Sequence, residues 1–366
     1  MRSSRQHSYM STTHDQPSPS ATTDGVTEAP ALPPVPLTAE EHHGYEALRQ
    51  GVTWFAWPWR WTRIQGPKAA DALNGLVTND VTLLAVNASQ YAAALTPKGK
   101  MVADMTIVRA DEDTFLVGVD AGAVEGWLGL ARKYINPRLA RTTDESALWN
   151  TWAIYGRNIA TALQSLGIGE NGAARIGDAD IRVVPGPTLA GMSGVWLIVP
   201  TDHAEHVRER IVAICGPESG AAVAELARIE GGRPSMFMDM DENTIPQEAN
   251  LDTLDAISFT KGCYTGQETV ARVHFRGHVN RHLRAVSSPV PLTRGTSLVD
   301  DAGKVVGEVR SSAISPRLGP IAIALVRREI GPGTTIHARA LPPKDTGASA
   351  DAVLIPATVN TLPFPD

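Results

Sequence analysis

Two hydrophobic periods alternate along this chain, and the change between them marks out its elements. Between residues 52 and 64, tryptophans stand at 54, 57, 59 and 61. Trp57, Trp59 and Trp61 alternate, so a strand would carry them on one face. Pro67 suits the first turn of a helix reaching about Leu76. Residues 91–95 and 101–109 read as strands joined by the turn-rich Thr96-Pro97-Lys98-Gly99-Lys100, and 115–119 as another. Trp127, Leu128, Ala131, Tyr134 and Ile135 then fall at helical spacing within 123–135. A similar cycle follows, with strands over 152–155 and 195–199 and helices over 159–166, 203–214 and 221–229. This order predicts an α+β body of two ferredoxin-like units, about 45–150 and 151–280.

After Arg281 the texture changes to short strands punctuated by Gly and Pro. Segments 297–299 and 305–309 flank Asp300-Asp301-Ala302-Gly303, a hairpin signal. With 321–326, 334–338 and 353–355 they predict a small C-terminal β-barrel over 281–360.

Residues 1–44 are rich in Ser, Thr and Pro and poor in large apolar side chains, so disorder is expected. No apolar stretch there reads as a secretory signal. Arg2, Arg5 and the serines have the flavour of a mitochondrial presequence, but Asp15, Asp24 and Glu28 oppose it. A bacterial-type tail and a cytoplasmic protein are the expectation, with the mitochondrial matrix as the alternative.

Composition narrows the function classes. At 366 residues and 43% hydrophobic, the chain has material for two or three domains. No run of about 18 apolar residues predicts a membrane span. A net charge of −6 argues against general nucleic-acid binding. The two cysteines, Cys215 and Cys263, make neither a disulfide framework nor a self-sufficient metal site. Cys215 follows an apolar helix and reads as a packed thiol.

The densest chemistry lies in Lys261-Gly262-Cys263-Tyr264-Thr265-Gly266-Gln267-Glu268. Thr265 and Glu268 have capping-box spacing, which would leave Cys263 outside the positive end of a helix and two residues from Lys261. Both effects favour the thiolate, as a nucleophile or a soft ligand. The competing reading is a tight turn with Cys263 packed as a small hydrophobe. Further on, Glu268 and Arg272 stand at i,i+4. His274, His278 and His282 recur every four residues, but Gly277 interrupts them, and solvated or structural histidines are the preferred reading. Lys261, Arg272 and Arg276 could attract carboxylates or a phosphate.

The eight-residue stretch, continued by Thr269-Val270-Ala271-Arg272, resembles the signature of the YgfZ/IBA57 family. These are folate-binding proteins of iron–sulfur cluster assembly or repair, related to the glycine-cleavage T-protein, an aminomethyltransferase. Ile64-Gln65-Gly66, Thr78-Asn79-Asp80, Lys98-Gly99-Lys100-Met101, Arg228-Ile229-Glu230-Gly231-Gly232 and Ile245-Pro246-Gln247-Glu248-Ala249-Asn250 agree in the family's order. The resemblance covers roughly residues 51–356.

It implies a folate-binding α+β body with a C-terminal barrel around a central opening. It also implies tetrahydrofolate or a one-carbon-substituted folate as cofactor, with no tightly bound metal. Trp59 takes the place of a folate-site aromatic, and Glu230, Gln247 and Asn250 are candidates to bond a pterin or position the cysteine loop. Cys263 would be the reactive centre, within the motif formed by Lys261, Gly262, Tyr264, Gly266, Gln267, Glu268 and Arg272. Expected partners are iron–sulfur enzymes or cluster-assembly proteins, with tRNA left open, and the expected state is a monomer. The aminomethyltransferase pattern is broken twice. Ala103-Asp104 stands where that enzyme has adjacent aspartates, and Gly194-Val195-Trp196 where it has a pterin-gripping glutamate. An alanine methyl cannot orient or accept a proton. Glycine-cleavage activity is therefore not expected. A folate-dependent one-carbon transferase acting on tRNA or a small metabolite, or a non-catalytic docking scaffold, remain the alternatives.

Overall fold

The computed structural model describes residues 34–340 and 353–365. The expectation of disorder for residues 1–33 lies outside the described residues, but the end of the expected tail is helical. Thr38 caps α1 (Ala39–Gln50), its hydroxyl accepting from the Glu41 amide while Glu41 accepts from the Thr38 amide at 2.7 Å. That reciprocal cap fixes the first turn. Tyr45 and Leu48 on the same helix are buried, so α1 belongs to the body rather than to a tail.

Next come β1 (Thr53–Ala56), β2 (Trp59–Gln65), α2 (Ala69–Asn74), β3 (Ser89–Leu95) and β4 (Met101–Asp111). Then β5 (Thr114–Asp120), α3 (Val124–Tyr134) and β6 (Arg141–Asp144) complete the first unit. Its antiparallel sheet has the order β3-β4-β5-β2-β6. The second unit runs through β7 (Trp149–Tyr155), α4 (Ile159–Leu166), β8 (Gly172–Ile176), β9 (Ala179–Pro185), β10 (Gly194–Pro200), α5 (Ala204–Cys215) and α6 (Ala221–Glu230). Its sheet, also antiparallel, is ordered β1-β7-β10-β9-β8.

The quartets β6-β2-β5-β4 and β1-β7-β10-β9 have the same spatial plan, that of a ferredoxin-like unit with one added edge strand. The second quartet borrows its outer strand from the chain before the first, with Thr53 opposite Tyr155 and Ala56 opposite Trp152. A cut near residue 150 therefore does not separate the two units. The predicted stripe of Trp57, Trp59 and Trp61 is also divided, because Trp57 lies between β1 and β2 rather than on a strand with the other two.

After α7 (Gln267–Arg276), a closed barrel is built from β11 (Arg281–Ser287), β12 (Ser297–Val299), β13 (Val305–Ser315), β14 (Gly319–Arg327), β15 (Thr335–Ala340) and β16 (Val353–Asn360). The strand order is β11-β14-β13-β12-β15-β16, and β16 pairs back onto β11. Closure leaves no free sheet edge. Leu298, Val309, Ala324, Ile336 and Val359 fill the interior. Among the described residues, no helix is long and apolar enough to cross a membrane.

Candidate functional site

Where the two sheets meet α6, the structure encloses a cavity of about 260 Å³ walled by Trp57, Trp59 and Trp196. The rings of Trp59 and Trp196 are 4.6 Å apart and those of Trp57 and Trp196 5.5 Å. Gly118 makes this possible. It lies opposite Trp61 on β5, and a Cβ there would come within 2.5 Å of the Trp59 ring and 2.8 Å of Trp61. Trp61 itself is core, fully buried and donating from its indole to Thr151 Oγ1 at 2.8 Å. The Trp57 indole N–H is buried and finds no acceptor among the described residues, whereas the Trp196 indole has the Tyr155 hydroxyl beside it. Buried indole donors ordinarily find one, so Trp57 has unused capacity at the cavity wall.

The polar side of the cavity carries Asp104, Asp120, Glu225, Arg228 and Arg233. Asp104 is 8% exposed and accepts from the Tyr91 hydroxyl at 2.9 Å. Burial drives its pKa up to about 6, against the Tyr91 hydrogen bond, and nearby Asp120 pushes the same way. Tyr91 is held well above the ordinary phenol range, by burial first and Asp104 second. The Arg233 guanidinium rests on the Tyr91 ring, 4.7 Å from its centroid. The site thus holds a wall of mutually tilted indoles beside a buried carboxyl whose pKa is raised to about 6. Those are the donors and acceptors that the amino-pyrimidinone edge of a pterin would meet.

Of the four residues expected to contact folate, Trp59 lines this cavity, and Glu230, Gln247 and Asn250 do not. Glu230 is 1% exposed and accepts from Tyr45 at 2.9 Å and from Ser315 at 2.6 Å, tying α1 and the barrel to the end of α6. Gln247 Nε2 donates to the Val270 carbonyl at 2.8 Å. Asn250, at φ +59, donates to the Leu283 carbonyl at 3.0 Å. Both hold α7 and β11 in place, because their amides meet buried main-chain acceptors. Sequence reading missed Tyr91 and Arg233, which come from separate segments joined only by the fold.

The cysteine motif also differs in detail from its sequence reading. Gly266, at φ +83, is the N-cap of α7, and no side chain caps this helix. The expected Thr265–Glu268 capping box does not form. Gly266 packs where a Cβ would lie 2.6 Å from the Thr96 carbonyl, and Gly99, at φ +75, has equally little room beside Thr269. These two left-handed glycines let the β3–β4 turn close on the start of α7, with Thr269 donating to the Lys98 carbonyl at 3.0 Å.

Lys261 points inward. It is 8% exposed and donates to the carbonyls of Asn74, Val77 and Asn79 at 2.7, 2.7 and 2.8 Å. Burial draws its pKa down to about 8, so it is a structural cation rather than a free attractor of anions. Lys261→Met would leave three carbonyls short of a charged donor and is expected to lower stability by about 2–3 kcal/mol, read from urea unfolding. A loss under about 0.5 kcal/mol would refute this role.

Tyr264 is buried, and Gly262 and Cys263 are exposed. Gln267 is half-buried. Cys263, Lys261, Arg272 and Arg276 do not line the tryptophan cavity. Glu268 and Arg272 are both exposed and form no ion pair with each other. The histidine row is broken because α7 stops at Arg276 and Gly277 is extended. His274 stacks on Phe259 with centroids 3.6 Å apart. Cys215 is buried, and burial pushes its thiol up to about 11.

The sequence pattern of the GCVT N-terminal domain matches residues 37–261, and the chain belongs to that family. It is 31% identical over 246 residues to a "tRNA-modifying protein YgfZ" of Photorhabdus laumondii, covering 64% of this chain and 71% of that protein. It is 25% identical over 266 residues to an "Iron-sulfur cluster assembly factor IBA57 homolog, mitochondrial" of Dictyostelium discoideum, covering 66% and 63% of the two chains. The chain spans about two thirds of the length of two further bacterial relatives. In fold it is similar to the glycine-cleavage aminomethyltransferase T of Bartonella henselae, with a TM-score of 0.77 over 89% of each chain at 20% identity.

Proposed function

We propose that the tryptophan-walled cavity binds the pterin of tetrahydrofolate or of a one-carbon-substituted folate, and that the protein serves iron–sulfur cluster assembly or repair in the cytoplasm. The observation that carries the proposal is the cavity itself: three indoles around it, one of them with an unused N–H donor, facing a buried carboxyl with a raised pKa. Trp57, Trp59 and Trp196 would stack on and bond the heterocycle, while Asp104, oriented by Tyr91, would hold or release a proton at its edge. When bound, a substituted folate would supply a transferable one-carbon unit. Cys263 is exposed on the loop before α7 and open to a partner protein or a cluster in transit. The relatives named for tRNA modification and for cluster assembly support a shared folate-linked role. A one-carbon transferase is the second reading, and the retained Asp104 favours it.

Titration with 5-formyltetrahydrofolate should quench the tryptophan emission saturably. Trp59→Ala should weaken binding about 5- to 100-fold, the range expected for loss of one stacking face. Unchanged affinity in Trp59→Ala, or no saturable quenching in wild type, rules out this cavity as the folate site. In a strain lacking its own relative of this family, wild type should restore the activity of an iron–sulfur enzyme under oxidative stress and Cys263→Ala should not. Equal rescue by both would make the protein a docking scaffold.

A further inference from the structure

A second cavity, of about 320 Å³, adjoins the first across the shared side chains of Tyr91, Pro187, Trp196 and Arg233. Its chemistry is different. The first chamber is lined by three carboxylates, Asp104, Asp120 and Glu225, whereas the second has none among its lining residues. Its one charge is the Arg233 guanidinium, which sits on the Tyr91 ring, feels the Asp104 carboxyl from the first chamber and makes no direct ion pair among the described residues. A further donor lacks an acceptor, since Gln90 Nε2 is buried and unbonded among the described residues. Thr106 and Asn171 add neutral polar groups to the wall. A buried amide N–H₂ without an acceptor is unfavourable, and an apolar side chain at Gln90 would avoid that cost. One stacked guanidinium, an unbonded amide N–H₂ and no acid on the chamber's own wall together describe a receptor for a planar monoanion.

We propose that this second chamber is a subsite for the carboxylate of a small co-substrate, gripped by Arg233 and Gln90, so that the rest of that molecule lies toward Tyr91 and Asp104. A phosphate dianion would exceed the single compensating charge, and a neutral heterocycle would leave it unpaired. The subsite goes beyond folate binding and stands whether or not the first chamber takes a pterin.

The test uses the full chain without folate, titrated with acetate, glycine, L-glutamate and inorganic phosphate while Trp emission and calorimetric heat are followed. At least one carboxylate should bind saturably. Arg233→Gln should weaken that binding about 10-fold or more, and Gln90→Leu by a smaller factor, as loss of a charge-assisted and then of a neutral hydrogen bond requires. A cooperative urea transition and an unchanged far-UV circular dichroism spectrum show that Arg233→Gln is folded. The proposal is overturned if no carboxylate binds, if phosphate binds in their place, or if Arg233→Gln binds the carboxylate as tightly as wild type. It is equally overturned if Arg233→Gln weakens only 5-formyltetrahydrofolate and free carboxylates do not bind, because the subsite would then belong to the cofactor's own tail.

Discussion

Replacing Arg228 with methionine is expected to lower the unfolding free energy by about 3–5 kcal/mol, the largest single-site loss in the body. Arg228 is 5% exposed and binds in four directions. It donates to Glu225 at 2.8 and 2.6 Å, to Asp239 at 2.5 Å, to Ser311 at 2.8 Å and to the Arg233 carbonyl at 2.5 Å. Asp239, 1% exposed, depends on it, with the Ser311 hydroxyl and the Ser235 amide as its remaining donors. Without the guanidinium, burial would force Asp239 to take up a proton. Because Ser311 is on β13 and Arg228 on α6, the loss would also loosen the barrel from the body. Urea unfolding should show an earlier midpoint, and Asp239→Asn added to Arg228→Met should recover part of the loss by removing the stranded charge. A single-variant loss below about 1 kcal/mol, or no recovery in the pair, would contradict this account.

Capping-box spacing occurs at the pair expected to cap a helix and, unread, at another inside the stretch expected to be a disordered tail. Thr38–Glu41 and Thr265–Glu268 have the same local pattern. Only the first forms, because the second is crossed by a left-handed Gly266 pressed against the Thr96 carbonyl. That contact comes from a turn far away in the chain. Strong apolar segments such as β4, β5 and β10 were readable from side-chain alternation and run length. Short polar β6, with exposed Arg141 and Asp144, and the edge strand β8 were not, since their partners rather than their residues make them strands. Of the cavity, Trp59 could be marked in advance by resemblance. Tyr91 and Arg233 could not, because their meeting follows from a loop after α6 folding back over β3. The clearest sequence clue to the rebuilt slot was Trp196 in place of a gripping glutamate.

Asp104→Asn is expected to stabilise the protein at pH 7 and to remove its function. The folded state holds this carboxyl at about 6, above the ordinary 3.8. A group whose pKa is raised on folding favours the native state while protonated, so its contribution is complete below about pH 3.8 and is lost as pH rises through 6. Above that window, the ionised carboxylate costs on the order of 3 kcal/mol, the free-energy equivalent of the shift. Asparagine keeps the volume and can still accept from Tyr91, but it carries no charge. The variant should therefore unfold at a higher temperature than wild type at pH 7, with the gap closing as pH falls toward 4. Its slot should still bind a pterin through the indoles, yet any ligand affinity that varies near pH 6 in wild type should become flat. In the complementation strain it should fail, since an amide cannot take up the proton that the carboxylate would. A variant less stable than wild type at pH 7, or one with the wild-type pH profile of binding, would show that Asp104 is a structural acceptor for Tyr91 rather than the titrating group of the site. A stabilised, pterin-binding and inactive variant would instead mark a charge the fold tolerates because the chemistry at the slot requires it.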